Sequence, residues 1–108
     1  MGAIIGGKPH CGKTTELIKR SSKEWLYIVV ANKEQAHNIA RLAEYMNVDI
    51  PYPITVDELP IRPGSHIKGV LIDEVEQLLT RIIGRPIIAM STSYEMVKPN
   101  PLNPKWTI

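Results

Sequence analysis

The sequence predicts an α/β fold, a three-layer sandwich with a mostly parallel sheet of four or five strands, and three observations predict it. Short apolar runs alternate with stretches of helical periodicity along the chain. Residues 25–31 form a continuous apolar run rich in Ile and Val, which is how a strand covered on both faces of a parallel sheet reads. A glycine-flanked turn carrying lysine and threonine sits between the first apolar run and the first helical stretch. Strand and helix units of this length close with right-handed crossovers, and a parallel sheet follows.

Ala3-Ile4-Ile5 is a short buried strand. Behind it, Gly7-Lys8-Pro9-His10-Cys11-Gly12-Lys13-Thr14 matches G-x-x-x-x-G-K-[ST] at every fixed position. At average residue usage such a match arises by chance in roughly 0.3 to 0.5% of chains of this length, so it carries weight on its own. The glycines let the backbone curl through positive φ and turn successive N–H groups inward on an anion, and the helix that follows adds its N-terminal dipole. That helix runs from Lys13 to about Ser22, and residues 25–31 are the next strand. Asn32 caps a second helix, with Gln35 as its capping-box partner and Ala36, Ile39, Ala40 and Ala43 on one face, ending near Met46.

Residues 51–64 hold four prolines around a short strand, Ile54-Thr55-Val56. Val70-Leu71-Ile72-Asp73-Glu74 is a strand ending in two acids, and a third helix follows with Val75, Leu78, Leu79 and Ile82 on one face and Gly84 as its stop. Pro86-Ile87-Ile88-Ala89-Met90 reads as a last buried strand that ends in Ser91-Thr92-Ser93. The domain then spans residues 1–98, and residues 99–108 are a proline-rich tail carrying Trp106.

Ligands of a parallel sheet collect at the carboxyl ends of its strands. Three features converge there: the glycine-rich loop, Asp73-Glu74, and Ser91-Thr92. The loop is built to hold a polyphosphate. Lys13 reaches the terminal phosphates as a point charge, and the Thr14 hydroxyl joins Asp73 in holding Mg²⁺. Glu74 is placed to polarise an attacking water, a general-base role. Nucleotide-binding residues are therefore Gly7, Lys8, Pro9, His10, Cys11, Gly12, Lys13, Thr14 and Thr15.

Composition narrows the setting. One hundred and eight residues with 44% apolar content build one domain with a modest core. A net charge of +2 neither demands nor excludes a nucleic acid partner. The basic group Lys19, Arg20 and Lys23 reads as a solvated helix end favoured by the dipole. The single cysteine, Cys11, rules out an internal disulfide and a cysteine-cluster zinc site, and His10, His37 and His66 show no metal-ligand spacing. No apolar run reaches the ~20 residues of a membrane span, and residues 1–5 lack a signal-peptide layout, so the expected location is cytoplasmic with no membrane partner. Gly6 stands where an acylation motif needs Ser or Thr.

With these motifs the chain resembles the P-loop NTPases, with Walker A at residues 7–14 and Walker B at residues 70–74, over residues 3 to about 93. The double acid is similar to the branch with an additional catalytic glutamate, which includes helicase, RecA-like, AAA+ and DNA-packaging ATPases. In that branch a polar residue on the next strand senses the γ-phosphate, which implies Ser91 or Thr92 here. Residues 12–20 are also similar to the opening of the thymidine kinases. The resemblance implies binding of ATP or another nucleoside triphosphate with Mg²⁺, and a slow or partner-stimulated ATPase linked to DNA metabolism. A nucleotide-dependent interaction module with little turnover and a small nucleoside or nucleotide kinase are the alternatives.

The chain departs from these families in being short, and one cysteine cannot build the zinc lobe of the thymidine kinase type. Neither Arg81, in the third helix, nor Arg85, before the last strand, is placed to serve as an arginine finger. A homo-oligomer or a larger protein partner is expected to complete the site. Tyr94 and Trp106 are available as stacking faces, although a packing role suits them as well.

Overall fold

The computed structural model describes residues 2–6 and 12–97, and every strand pairing within it is parallel. In chain order the elements are β1 (Ala3–Ile5), α1 (Lys13–Glu24), β2 (Tyr27–Val30), α2 (Lys33–Tyr45), β3 (Ile54–Thr55), a 3-10 turn (Val56–Glu58), β4 (Val70–Ile72), α3 (Val75–Ile83) and β5 (Glu95–Val97). They form an α/β fold with a three-stranded sheet, ordered β3-β2-β4, and a two-stranded sheet, β1-β5. No helix among the described residues is long and apolar enough to cross a membrane.

β2 is the centre, and the apolar run explains why. Its side chains alternate between two faces, and each face has its own cover. Ile28 and Val30 point into a cluster with Leu17 and Ile18 of α1 and Ala36, Ile39 and Ala43 of α2. Val29 points the other way, toward Ile54 and Leu78 of α3, with Leu59, Ile61 and Ile67 of the long connection closing that side. Ile5 of β1 and Leu71 of β4 pack against the first cluster, which ties both sheets to one core.

The helix ends follow local chemistry. α1 stops at Trp25, which takes φ 55°, and its N–H donates to the Ser21 carbonyl. The Ser21 side chain is buried, and its hydroxyl donates to the Leu26 carbonyl at 2.6 Å, so the turn into β2 is held from inside the core. Trp25, expected as the first strand residue, is thus the cap of α1. Asn32 caps α2 as expected, accepting from the Gln35 N–H at 2.9 Å. The reciprocal half of the box is shifted by one residue, because the Gln35 Oε1 accepts from the Ala31 N–H rather than from Asn32. α3 ends at Gly84 with φ 82°, whose N–H donates to the Thr80 carbonyl at 2.7 Å.

The expected last strand at residues 86–90 does not form. Beyond Gly84 the segment has no regular structure, and Ile88 is 93% exposed. Pro86 contributes no N–H to a ladder, and no strand pairing forms at residues 86–90. β1 instead pairs with β5, in register Ala3↔Glu95, Ile4↔Met96 and Ile5↔Val97, and the Gly6 N–H extends the ladder to the Val97 carbonyl at 2.8 Å. The glycines at both ends of β1 favour this partner. A Cβ on Gly2 would come within 2.6 Å of the Tyr94 ring, and one on Gly6 within 2.9 Å of the Met96 methyl. Tyr94 therefore packs on β1 as an anchor. The third expected strand is also shorter than read, since Val56 belongs to the 3-10 turn, where Glu58 accepts from the Thr55 N–H at 2.9 Å.

Candidate functional site

Gly12 has φ 95°, a left-handed conformation that glycine adopts at no steric cost, and it opens α1 with no side-chain cap. The Glu16 N–H closes the first helical turn on the Gly12 carbonyl at 3.0 Å. Lys13, Thr14 and Thr15 thus occupy the first turn of a twelve-residue helix, where the helix dipole favours an anion.

Across from this turn, β4 delivers Asp73. The Asp73 N–H continues the β2–β4 ladder by donating to the Val29 carbonyl at 3.2 Å, which fixes its position at the carboxyl end of the sheet. The Thr14 hydroxyl lies 3.2 Å from each oxygen of the Asp73 carboxylate and donates to that group. Two residues far apart in sequence, each read as a Mg²⁺ ligand, are therefore side by side. A hydroxyl and a carboxylate are hard oxygen donors, so the pair fits that ion.

Glu74 follows in a left-handed conformation, φ 54° and ψ 63°, as the residue that opens α3. For a non-glycine residue this is a strained backbone, costing on the order of 1 kcal/mol or more. The Gln77 and Leu78 N–H groups both donate to its carbonyl, so the first turn of α3 holds it in place. Burial pushes the Asp73 carboxyl above its ordinary value; the Thr14 hydrogen bond and the Lys13 charge pull it down, and Glu76 pushes it further up. Glu74 is raised too, first by burial, then by the charges of Glu76 and Asp73, with Lys13 opposing.

Gly12, Lys13, Thr14, Thr15, Asp73 and Glu74 line an open cavity of about 560 Å³. Gln35, Asn38, Ile39 and Leu42 of α2 line the cavity as well. Sequence reasoning missed these α2 residues. The signal was present, because these four residues stand at i, i+3, i+4 and i+7, a mixed stripe beside the apolar face that was read. Gln35 also ties α2 to α3, its Nε2 donating to the Gln77 Oε1.

Ser91 and Thr92, read as catalytic, are not brought to this cavity. Both are exposed, outside any strand, and the Thr92 hydroxyl accepts from the Tyr94 N–H at 2.9 Å in a local turn. Their placement depended on the strand at residues 86–90. Gly7, Lys8, Pro9, His10 and Cys11 lie outside the described residues, as does Trp106 in the segment 98–108. Arg81 pairs with Asp57 at 3.7 Å, and Arg85 donates to the Gly84 carbonyl; neither lines the cavity. Two of the basic residues on α1 are engaged within their helix, Lys19 with Glu16 at 3.7 Å and Arg20 with Glu24 at 2.6 Å. His37 is exposed, and the His66 ring meets Tyr27 edge-on at 6.4 Å.

No family model, no curated protein and no solved structure matches this chain.

Proposed function

We propose that this chain is a minimal P-loop NTPase that binds Mg²⁺ with ATP or another nucleoside triphosphate and hydrolyses it slowly or on stimulation by a partner. The contact between Thr14 and Asp73 carries the reading, since it joins the last residue of the glycine-lysine motif to the first acid of the second motif. Lys13 would bind the terminal phosphates, Thr14 and Asp73 would hold the metal, and Glu74 would orient and deprotonate the attacking water. Mg²⁺, when bound, neutralises charge on the phosphates.

The finer fold assignment belongs to the same proposal. Helices against both faces of β2 support a three-layer sandwich. Among the described residues β1 pairs with β5 and β4 with β2, and the branch with the additional catalytic glutamate is supported by the two adjacent acids, Asp73 and Glu74. The link to DNA metabolism rests on the resemblance to that branch alone. β4 is an edge of its sheet, with Val70 and Ile72 partly exposed, and this supports self-association or a larger protein partner.

One observation favours the second reading, an interaction module with little turnover. Ser91 and Thr92 lie away from the cavity, so no described group fills the sensor position. ATP binding and turnover, measured with and without single- and double-stranded DNA, test both. Binding lost in Lys13→Ala, with turnover that DNA stimulates and Glu74→Gln abolishes, supports the ATPase. Binding without turnover supports the module, and absence of binding removes both.

A further inference from the structure

β2 sets the two acids by different routes. The Asp73 N–H donates to the Val29 carbonyl, so the ladder itself places the first acid. Glu74 lies one residue past that bond, at φ 54° and ψ 63°, a conformation that a non-glycine residue keeps only where its surroundings hold it. Its carbonyl accepts from the Gln77 and Leu78 N–H groups of α3. The Gln77 side chain in turn leaves α3, and its Oε1 accepts from the Gln35 Nε2. The Gln35 Oε1 accepts from the Ala31 N–H at 3.1 Å, one residue beyond the end of β2. The Gln35 backbone is held as well, because its N–H donates to the Asn32 Oδ1 at 2.9 Å. One amide side chain therefore spends its acceptor on the end of β2 and its donor on the helix that Glu74 opens.

We infer that Gln35 is a positioning residue for the proposed hydrolysis: acting through Gln77, it fastens the first turn of α3 to the end of β2 and so sets where Glu74 stands relative to Asp73. The inference rests on the proposed triphosphate site and on Glu74 as the group that activates water. A general base works only within hydrogen-bond reach of the proton it takes, so a small displacement of this turn slows the chemical step. Phosphate binding is not exposed to the same displacement, because Lys13 and Thr14 belong to α1. Arg81 supplies the contrast, since it ties the far end of α3 to Asp57 and does not line the cavity.

The test uses the full chain with Mg²⁺ and ATP, and compares Gln35→Ala, Gln77→Ala, the double variant and Arg81→Ala with the wild type. Single-turnover hydrolysis, ATP affinity by isothermal titration and urea midpoints are read for each. Gln35→Ala and Gln77→Ala are each expected to lower the single-turnover rate about tenfold or more, the scale of a small misplacement, with ATP affinity unchanged. The double variant should be no slower than either single one, because both cut the same link. Arg81→Ala should keep the wild-type rate. In the ¹⁵N-labelled chain the Glu74 amide signal should move in Gln35→Ala and stay in Arg81→Ala. A wild-type rate in Gln35→Ala, losses that multiply in the double variant, or an equal loss in Arg81→Ala overturns the inference and leaves the hydrolytic reading standing. ATP affinity or a urea midpoint that falls in step with the rate overturns it too, since the link is then structural only. A wild-type chain that binds ATP without turnover removes the hydrolytic reading and this inference with it.

Discussion

Thr14 and Asp73 meet because one opens a helix and the other closes a strand at the same edge of the sheet, and the consequences can be tested residue by residue. Lys13→Ala is expected to weaken ATP binding about 100-fold, as the loss of two charged hydrogen bonds implies, and isothermal titration measures it. Glu74→Gln is expected to lower any turnover about 100-fold or more while ATP stays bound, read from single-turnover kinetics. The raised Asp73 carboxyl gives a pH prediction. The folded chain holds a proton on Asp73 at a pH where the unfolded chain has released it, so this group favours folding below its ordinary value of 3.8 and loses that contribution as pH rises through the raised one. Urea midpoints should therefore fall with rising pH more steeply in the wild type than in Asp73→Asn, and added Mg²⁺ should reverse the fall. These residues were legible in the sequence because each motif is contiguous and carries its chemistry locally. Ser91 and Thr92 were not, since their position depended on the expected strand at residues 86–90, which does not form.

Elements whose ends are set by local hydrogen bonds were legible to within a residue or two. Asn32 and Gly84 announced the start of α2 and the stop of α3, and the continuous run around β2 announced a strand buried on both faces. The Trp25 cap was misread because an aromatic residue at positive φ follows no local rule; the buried Ser21 hydroxyl and the Leu26 carbonyl make the turn there. Residues 86–90 were misread because high strand propensity marks a strand only where a ladder forms, and Pro86 withholds an N–H from one. Asn32→Ala is expected to cost about 1 kcal/mol through the lost cap. Ile18→Ala, which empties the fully buried contact of α1 with β2 and α2, is expected to cost roughly 2–5 kcal/mol. Urea denaturation measures both, and the two should add because the cap lies on a different helix from the cavity.

At the scale of the molecule, the sequence announced the α/β class and the parallel pairing but not the division into two sheets. Alternation of strand and helix specifies handedness and direction, whereas the choice of neighbour depends on close packing such as that of Tyr94 over Gly2. The exposed side chains of Ile82 and Ile83 lie on the last turn of α3, and those of Ile88 and Met90 on the segment that leads away from it. Sedimentation velocity is expected to show association that grows with concentration, and Ile88→Lys with Met90→Lys should reduce it. The pairing of β1 with β5 also has a consequence in time. The strand that leads into the glycine-lysine motif is fastened only when residues 3 and 95 find each other, whereas β2, α1 and α2 assemble from neighbours in sequence. Contacts of long sequence separation close slowly, so β1 and β5 should be the last of the described elements to acquire their native order. Pulse-labelled hydrogen exchange should find the amides of Ile28 and Val30 protected before that of Gly6, and a refolding chain competent to bind ATP only after the later step.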